Sequence, residues 1–405
     1  MVPSKSQKLK KMHPSGQCSF SRVCLVSRML LTISATWGSV FFFLPEQPAR
    51  RRTASRAVRM GEKALFTAIR FILLGRSMSR RKRKSQEQFG QVSRTLPRAR
   101  GKKNRVLIVE GGGMRGAFAG GVLAAMNRWY PSRKFDLVVG VSAGSCSAAY
   151  YVTESPNDLE ATIKNLNVWR YELSDGRFLA RRRLVGKKTV MDQNYLIDYL
   201  FGSRYRLKKE RLDSPRTTPL YVVVSNLGSG QPEYVRATAE NALPLLKAAT
   251  ALPIATKGRS NIGDEQFTDG AVTDPIPVEA VIEAGYRDIT VVLNHPRSYI
   301  TGRTGRFLSF LSFPYNRSMA RFVRHEYHLR YNRAKEVINH PPPGVKIRIV
   351  DPPMSLPMKI VTTNEQVLNQ VVDMGLEAGR KAFEKMQEEK RKFRRWLGGL
   401  FKKRQ

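Results

Sequence analysis

The sequence predicts an α/β domain with a mainly parallel sheet and helices on both faces. Two observations predict it. Continuous apolar runs of the kind that buried parallel strands show recur at Val106–Val109, Leu137–Val139, Leu220–Ser225 and Ile289–Leu293. Helix-patterned segments stand between them: Ala117–Trp129, the small-residue stretch after Ser145, and Ala242–Ala251. Strands and helices alternating at this spacing bury a sheet between two helical layers. Further on, Pro341-Pro342-Pro343 breaks the chain and Val345–Val350 alternates as a short strand does. No period of a solenoid is present.

With 405 residues, 41% of them hydrophobic, the chain buries a full core with room for extensions. Cys18, Cys24 and Cys146 form no CxxC pair and no even set, so neither a disulfide framework nor a cysteine zinc site is indicated, and a reducing compartment fits. The formal net charge of +39 is concentrated at the ends. Residues 1–104 hold 24 Lys or Arg against 3 acids, and residues 376–405 hold 11 against 4. Basic ends of this size suit an extended anionic partner, and solvated tails are the plainer alternative.

The N-terminal extension holds a charge-free, mostly apolar run, Met29–Leu44, flanked by basic residues. It is short for a membrane span, and Pro45-Glu46-Gln47-Pro48 makes a poor cleavage site for a signal peptide. A weak anchor or an over-extended start, with Met60 or Met78 beginning the chain, is the expectation. Gly61–Leu74 reads as a helix with Leu65, Ile69, Ile72 and Leu73 on one side, and residues 76–104 read as a basic linker. At the other end Phe393, Trp396, Leu397, Leu400 and Phe401 recur at helical spacing among Arg and Lys, the pattern of an interfacial helix. Between them, residues 301–335 mix seven aromatics with arginine. That pattern fits a cap over a site mouth or an ordinary amphipathic helix.

The chemistry gathers on Gly140-Val141-Ser142-Ala143-Gly144, a GxSxG pentapeptide where an apolar strand gives way to small residues. Small residues let such a turn close, so that the serine oxygen stands clear for attack on a carbonyl. Upstream, Gly111-Gly112-Gly113-Met114-Arg115-Gly116 follows the first strand and satisfies GxGxxG, with Asp136 a further 20 residues on. That is the dinucleotide fingerprint, and an NAD(P)-dependent oxidoreductase follows from it. Against this, Arg115 falls inside the turn, and Asp136 begins a strand where the ribose-binding acid should end one. A glycine run before a helix equally points backbone N–H groups at a developing oxyanion, and the nearby elbow favours that use. Downstream, Asp269-Gly270-Ala271 offers a carboxylate as base for Ser142, although an isolated Asp-Gly is most often a turn.

In this order and spacing the trio GGGMRG, GVSAG and DGA resembles the patatin-like phospholipase family, over roughly Val106–Leu293 and less clearly to Asp351. Ala251-Leu252-Pro253-Ile254 and Pro275-Ile276-Pro277 lie within that span. The resemblance implies a three-layer α/β/α sandwich with a mainly parallel central sheet. It further implies a lipid acyl hydrolase of the phospholipase A or lysophospholipase kind, with Ser142 as nucleophile and Asp269 as base, without cofactor or metal. Gly111, Gly112, Gly113, Arg115 and Gly116 would form the oxyanion hole, Gly140 and Gly144 the elbow, and Gly270 and Ala271 the turn after the base. The expected organisation is an extension at 1–104, a catalytic domain at 105–300 completed by 301–360, and a basic amphipathic segment at 361–405. The expected partners are a phospholipid or other lipid ester and an anionic membrane surface met by the basic ends. Nucleic acid is not expected. The expected location is cytoplasmic and peripheral to the membrane, with an N-terminal anchor left open, and oligomeric state is not predicted.

Three alternatives stand beside this. A Ser-His-Asp triad would draw on His295, His325, His328 or His340, of which His295 directly follows a strand. A non-catalytic lipid binder would use the basic ends alone. The dinucleotide-dependent oxidoreductase is the third. His325-Glu326-Tyr327-His328 is one residue short of a zincin helix, and Gly186-Lys187-Lys188-Thr189 misses a P-loop.

Overall fold

The computed structural model describes residues 93–100, 104–155, 159–174, 176–179 and 189–402, with side chains as far as residue 384. Met29–Leu44, Gly61–Leu74, Gly186–Lys188 and the linker as far as residue 92 lie outside the described residues.

Eight strands form one sheet. Five of them, β1 (Arg105–Val109), β2 (Leu137–Val141), β3 (Leu220–Asn226), β7 (Asp288–Val292) and β8 (Lys346–Val350), run parallel in the order β3-β2-β1-β7-β8. Their register sets Leu107 beside Val138 on one flank and Thr290 on the other. Three short antiparallel strands extend the β3 edge: β4 (Pro232–Arg236) and β6 (Glu265–Asp269) both pair with β3, and β5 (Ser260–Ile262) pairs with β6. These three escape the sequence pattern because β4 (PEYVR), β5 (SNI) and β6 (EQFTD) carry no continuous apolar run.

Side-chain alternation divides each parallel strand between two cores. Leu107, Val109, Val138, Val222 and Val224 face a layer made by α1 (Gly116–Trp129), α2 (Ala143–Val152), α3 (Glu160–Asn167), α4 (Ala242–Ala249) and α9 (Glu365–Lys402). Val106, Ile108, Val139, Val223 and Val291 face a layer made by α5 (Val278–Glu283) and α8 (Tyr327–Asn339). Two shorter helices, α6 (Arg306–Ser312) and α7 (Arg317–His325), precede α8. The fold is therefore an α/β/α sandwich around a mostly parallel sheet. Both faces are covered, which is why the strands read as unbroken apolar runs rather than alternating ones.

Two segments differ from expectation. The described part of the linker, residues 93–100, lies along β4: Tyr234 N donates to Arg94 O at 3.0 Å, Ala99 N donates to Ala284 O at 2.8 Å, and Leu96 packs on the second core. Leu96 and Ala99 are the apolar residues that hold it there. At the C-terminus a single helix of 38 residues, α9, starts at Glu365, and Leu368, Val371 and Val372 in its first turns are fully buried. Glycines allow that burial. A Cβ on Gly121 of α1 would lie 2.2 Å from Val372 O, and one on Gly375 would lie 2.1 Å from Phe118 O, so the two helices meet backbone to backbone. The stripe Phe393–Phe401 falls on the helical backbone of α9, beyond the described side chains. Among the described residues no helix is long and apolar enough to cross a membrane.

Candidate active site

Ser142 ends β2 and begins α2 in a conformation that few non-glycine residues adopt, φ 50° and ψ −127°. Such a backbone costs on the order of 1–3 kcal/mol and persists only where its surroundings over-determine it. Here β2 is buried on both sides before the turn and α2 is buried after it. Gly144 lets the turn seat against the end of β1, since a Cβ there would lie 2.5 Å from the carbonyl oxygens of Val109 and Glu110. Gly140 stands one residue before the strand ends and crosses Ser145 as closely. The pentapeptide thus forms a strained strand-to-helix turn with its serine at the apex.

Asp269 ends β6 beside Val224 of β3, and its whole residue is buried. Its backbone is fixed on both sides: its N–H donates to Ala251 O at 3.3 Å, and its carbonyl accepts from Ser225 Oγ at 2.8 Å. The side chain accepts two hydrogen bonds. Ala271 N donates to Oδ1 at 2.9 Å across the turn made by Gly270 and Ala271, and Ser142 Oγ donates to Oδ2 at 2.6 Å. Burial pushes the Asp269 carboxyl up to about 7, against the lowering that these two bonds exert. A carboxyl that titrates near neutrality is thus in direct contact with a serine hydroxyl.

The glycine run follows β1. Gly112 and Gly113 both take positive φ, 146° and 58°, so the loop turns in a way that side chains disfavour. Gly111 lies against Ser142, where a Cβ would come within 2.8 Å of the serine Cβ. The amides beyond Gly113 are engaged: Met114 N donates to Ile360 O, Arg115 N to Gly112 O, and Gly116 N to Gly113 O and Met114 O. Among the described residues no acceptor takes the N–H groups of Gly112 or Gly113.

What holds this loop is a residue the sequence reading passed over. Asn294, fully buried just beyond β7, donates through Nδ2 to Glu110 O and Gly111 O, each at 2.9 Å, and its Oδ1 accepts from Ala119 N in the first turn of α1 at 3.2 Å. Glu110 in turn accepts from Asn294 N and from Tyr331 OH. A signal was present: a polar amide closing the apolar run Ile289–Leu293 at the C-terminal end of a central strand. Attention went instead to its neighbour His295.

An apolar cavity opens beside Ser142 and Asp269, walled by Trp169, Leu173, Leu196 and Phe201. Trp169 comes from the helical segment Val168–Glu172 and donates to Ser147 Oγ at 3.0 Å. Sequence reasoning assigned nothing to this region. Cys146, one turn along α2, also lines the cavity. Burial, and to a smaller extent the Asp269 charge, pushes its thiol up to about 12, so it is no rival nucleophile.

The histidines are elsewhere. His295 Nδ1 lies 3.5 Å from Glu110 Oε1 and its ring stacks on Tyr299, His325 meets Arg303, and His340 follows the last turn of α8. His328 has a buried Nδ1 without a partner. None of these donates to or accepts from Ser142 or Asp269. Asp136 accepts from Arg105 N at 2.9 Å, at the N-terminal end of the parallel strands. Dinucleotides bind at the opposite end, so Asp136 is misplaced as a ribose ligand. No group of three or more His, Cys, Asp or Glu that could hold a metal occurs among the described residues.

Two family models match stretches of this chain. The family described as patatin-like phospholipase matches residues 107–282, a span that includes the glycine run, Ser142 and Asp269. Over residues 107–282 this chain is patatin-like. A second family, a domain of unknown function designated DUF6363, matches residues 319–390. In the fold that stretch is no separate body, because it supplies β8 next to β7 and α8 and the start of α9 to the two helical layers around the patatin-like sheet. The chain is 25% identical to the uncharacterised protein YjjU of Escherichia coli (strain K12) over 259 residues, which is 62% of this chain and 69% of YjjU. Among solved structures VipD from Legionella pneumophila aligns over 73% of this chain and 70% of its own, at 12% identity and a TM-score of 0.36.

Proposed function

We propose that this chain hydrolyses acyl esters of lipids, with Ser142 as nucleophile and Asp269 as its only base. The observation that carries the reading is the 2.6 Å hydrogen bond from Ser142 Oγ to the buried Asp269 carboxylate, made at the apex of a strained turn. Ser142 Oγ attacks the ester carbonyl carbon while Asp269 takes its proton. The carbonyl oxygen becomes an oxyanion facing Gly112 and Gly113, whose free amides are worth roughly 3 kcal/mol each to the transition state. Of the five residues expected in that hole, Arg115 and Gly116 have amides already spent inside the turn. Collapse breaks the carbon–oxygen bond to the alcohol, which leaves with the proton from Asp269. Water, deprotonated by Asp269, then releases the fatty acid and restores Ser142.

The acyl chain enters the cavity walled by Trp169, Leu173, Leu196 and Phe201, where each methylene removed from water contributes about 0.8 kcal/mol. Catalysis on this reading belongs to residues 105–300, with 301–360 closing the sheet. The basic ends, 1–104 and 376–405, hold the protein against anionic lipid headgroups. A histidine base gains no support, since among the described residues no histidine is in contact with the serine. The dinucleotide reading gains none from Asp136.

The pH dependence of ester hydrolysis tests the reading. Asp269 accepts a proton only when ionised, so kcat/KM on an uncharged ester should rise about tenfold per pH unit below about 7 and level off above it. A rate that is flat from pH 5 to 9, or that falls as pH rises through 7, would exclude Asp269 as the base.

A further inference from the structure

The helix α6 and the turn after it expose what soluble surfaces usually hide. Phe307 is 75% exposed, Leu308 52%, Phe310 55%, Leu311 44% and Tyr315 93%. Five large apolar side chains within nine residues of chain form a concentrated patch, and patches of this kind mark interaction sites. Ser309 is the buried residue of this helix, so α6 shows its apolar side chains outward rather than into the core.

The surroundings identify what covers it. From residue 301 to 325 the chain holds five arginines, Arg303, Arg306, Arg317, Arg321 and Arg324, and no acidic residue. None of the five is paired with a carboxylate among the described residues. A protein partner with an apolar face would not require this one-signed rim. Anionic lipid headgroups above a hydrocarbon interior match both features at once, with the aromatic and leucine side chains below the headgroups and the guanidinium groups among the phosphates.

The patch is also mechanically joined to the site. Phe313 and Met319, buried on either side of the α6–α7 turn, form a small core with Val272, three residues beyond Asp269. Asn316 Nδ2 donates to Leu227 O just past β3, and Arg330 at the start of α8 donates to Thr273 O. The α6–α7 turn is therefore anchored on Val272, in the segment after Asp269, and on Leu227 at the end of β3, and α8 holds that same segment through Arg330.

We propose that α6 and α7 form a docking surface for anionic bilayers, inserting Phe307, Leu308, Phe310 and Leu311 at the headgroup level. The delivery of lipid to Ser142 from this surface rests on the hydrolase reading, but docking itself does not. The test therefore reads binding alone, in the full chain carrying Ser142→Ala so that no lipid is consumed. Vesicles of phosphatidylcholine containing phosphatidylglycerol, and vesicles of phosphatidylcholine only, are sedimented with this protein and with two further variants. Phe307→Ser with Phe310→Ser should lower partition onto the mixed vesicles at least about tenfold, which is about 1.4 kcal/mol. Arg317→Ser with Arg321→Ser should lower it about fivefold per arginine on mixed vesicles and little on neutral ones. Circular dichroism and melting temperature of both variants serve as the control for folding. As a second measurement, Phe310→Trp should add emission that brominated phosphatidylcholine in mixed vesicles quenches. Unchanged partition of the Phe307/Phe310 variant would mean that the basic ends bind alone, and would overturn the proposal. So would an added indole that brominated lipid does not quench, or self-association through this face without vesicle binding.

Discussion

Asp269→Asn is expected to lower kcat/KM on a lipid ester by about four orders of magnitude while leaving the fold more stable, not less. The loss follows from position. Among the described residues Asp269 is the one proton acceptor in contact with Ser142, and an amide in its place cannot take the serine proton; replacing a triad aspartate that only orients and stabilises the base has already cost about 10⁴ in kcat elsewhere. The gain in stability follows from burial. A carboxyl whose folded value stands at about 7 and whose ordinary value is 3.8 binds protons more readily folded than unfolded. Its stabilising share is complete below about 4, is lost as pH rises through 7, and the penalty above 7 reaches up to about 4 kcal/mol. Asparagine has the same shape. It retains an acceptor for Ala271 N–H, offers Nδ2 to Ser142 Oγ, and carries no charge to desolvate. Thermal melts at pH 8 should therefore place the variant above the wild type, with the gap closing toward pH 4. A variant that melts lower at pH 8, or that retains more than a hundredth of the activity, would contradict this account of Asp269.

Gly112→Ala carries the second large effect, a fall of about 10² to 10³ in kcat with little change in folding cooperativity. At φ 146° an alanine is strained whatever the space around it, although its Cβ would make only ordinary contacts with Arg115 and Asn294, each at 3.4 Å. The loop must relax, and relaxation moves the two amides proposed to face the oxyanion, each worth roughly 3 kcal/mol when aimed correctly. The effect should appear in kcat rather than KM, because the ground-state ester gains little from those donors. Loss confined to KM would assign Gly112 to substrate binding instead.

How much of this was legible in the sequence depended on distance along the chain. The parallel strands announce themselves because both faces of the sheet are buried, so Val106–Val109 is apolar at every position and Ile289–Leu293 at every position but Thr290. The serine turn is legible because its geometry demands glycine at Gly140 and Gly144 within five residues. Asp269, by contrast, looks like any Asp-Gly turn until the fold sets β6 beside β3, 127 residues away from Ser142 in sequence. Asn294 was missed for the same reason. It joins the ends of β7 and β1 to the first turn of α1, and its one local mark is a polar amide closing the run Ile289–Leu293. The antiparallel strands were hidden by their lack of an apolar run, and the burial of α9 by the basic composition of its far end. Gly121 and Gly375, which let α9 reach the core, carry meaning only once α1 and α9 are seen to cross.

The arrangement couples strain and burial in one place. The positive φ of Ser142 and the desolvated carboxylate of Asp269 both cost stability, and both are held by a sheet whose strands are covered on each face. Proteins tolerate such costs where they pre-organise a reaction.

The central claim is that Ser142 is a nucleophile. Incubating the folded full-length protein with a fluorophosphonate and mapping the adduct by peptide mass spectrometry tests it most directly. The account predicts one stoichiometric adduct on Ser142, absent from Ser142→Ala and slowed by orders of magnitude in Asp269→Asn. An adduct on another residue, or none in protein that hydrolyses lipid ester, would contradict it.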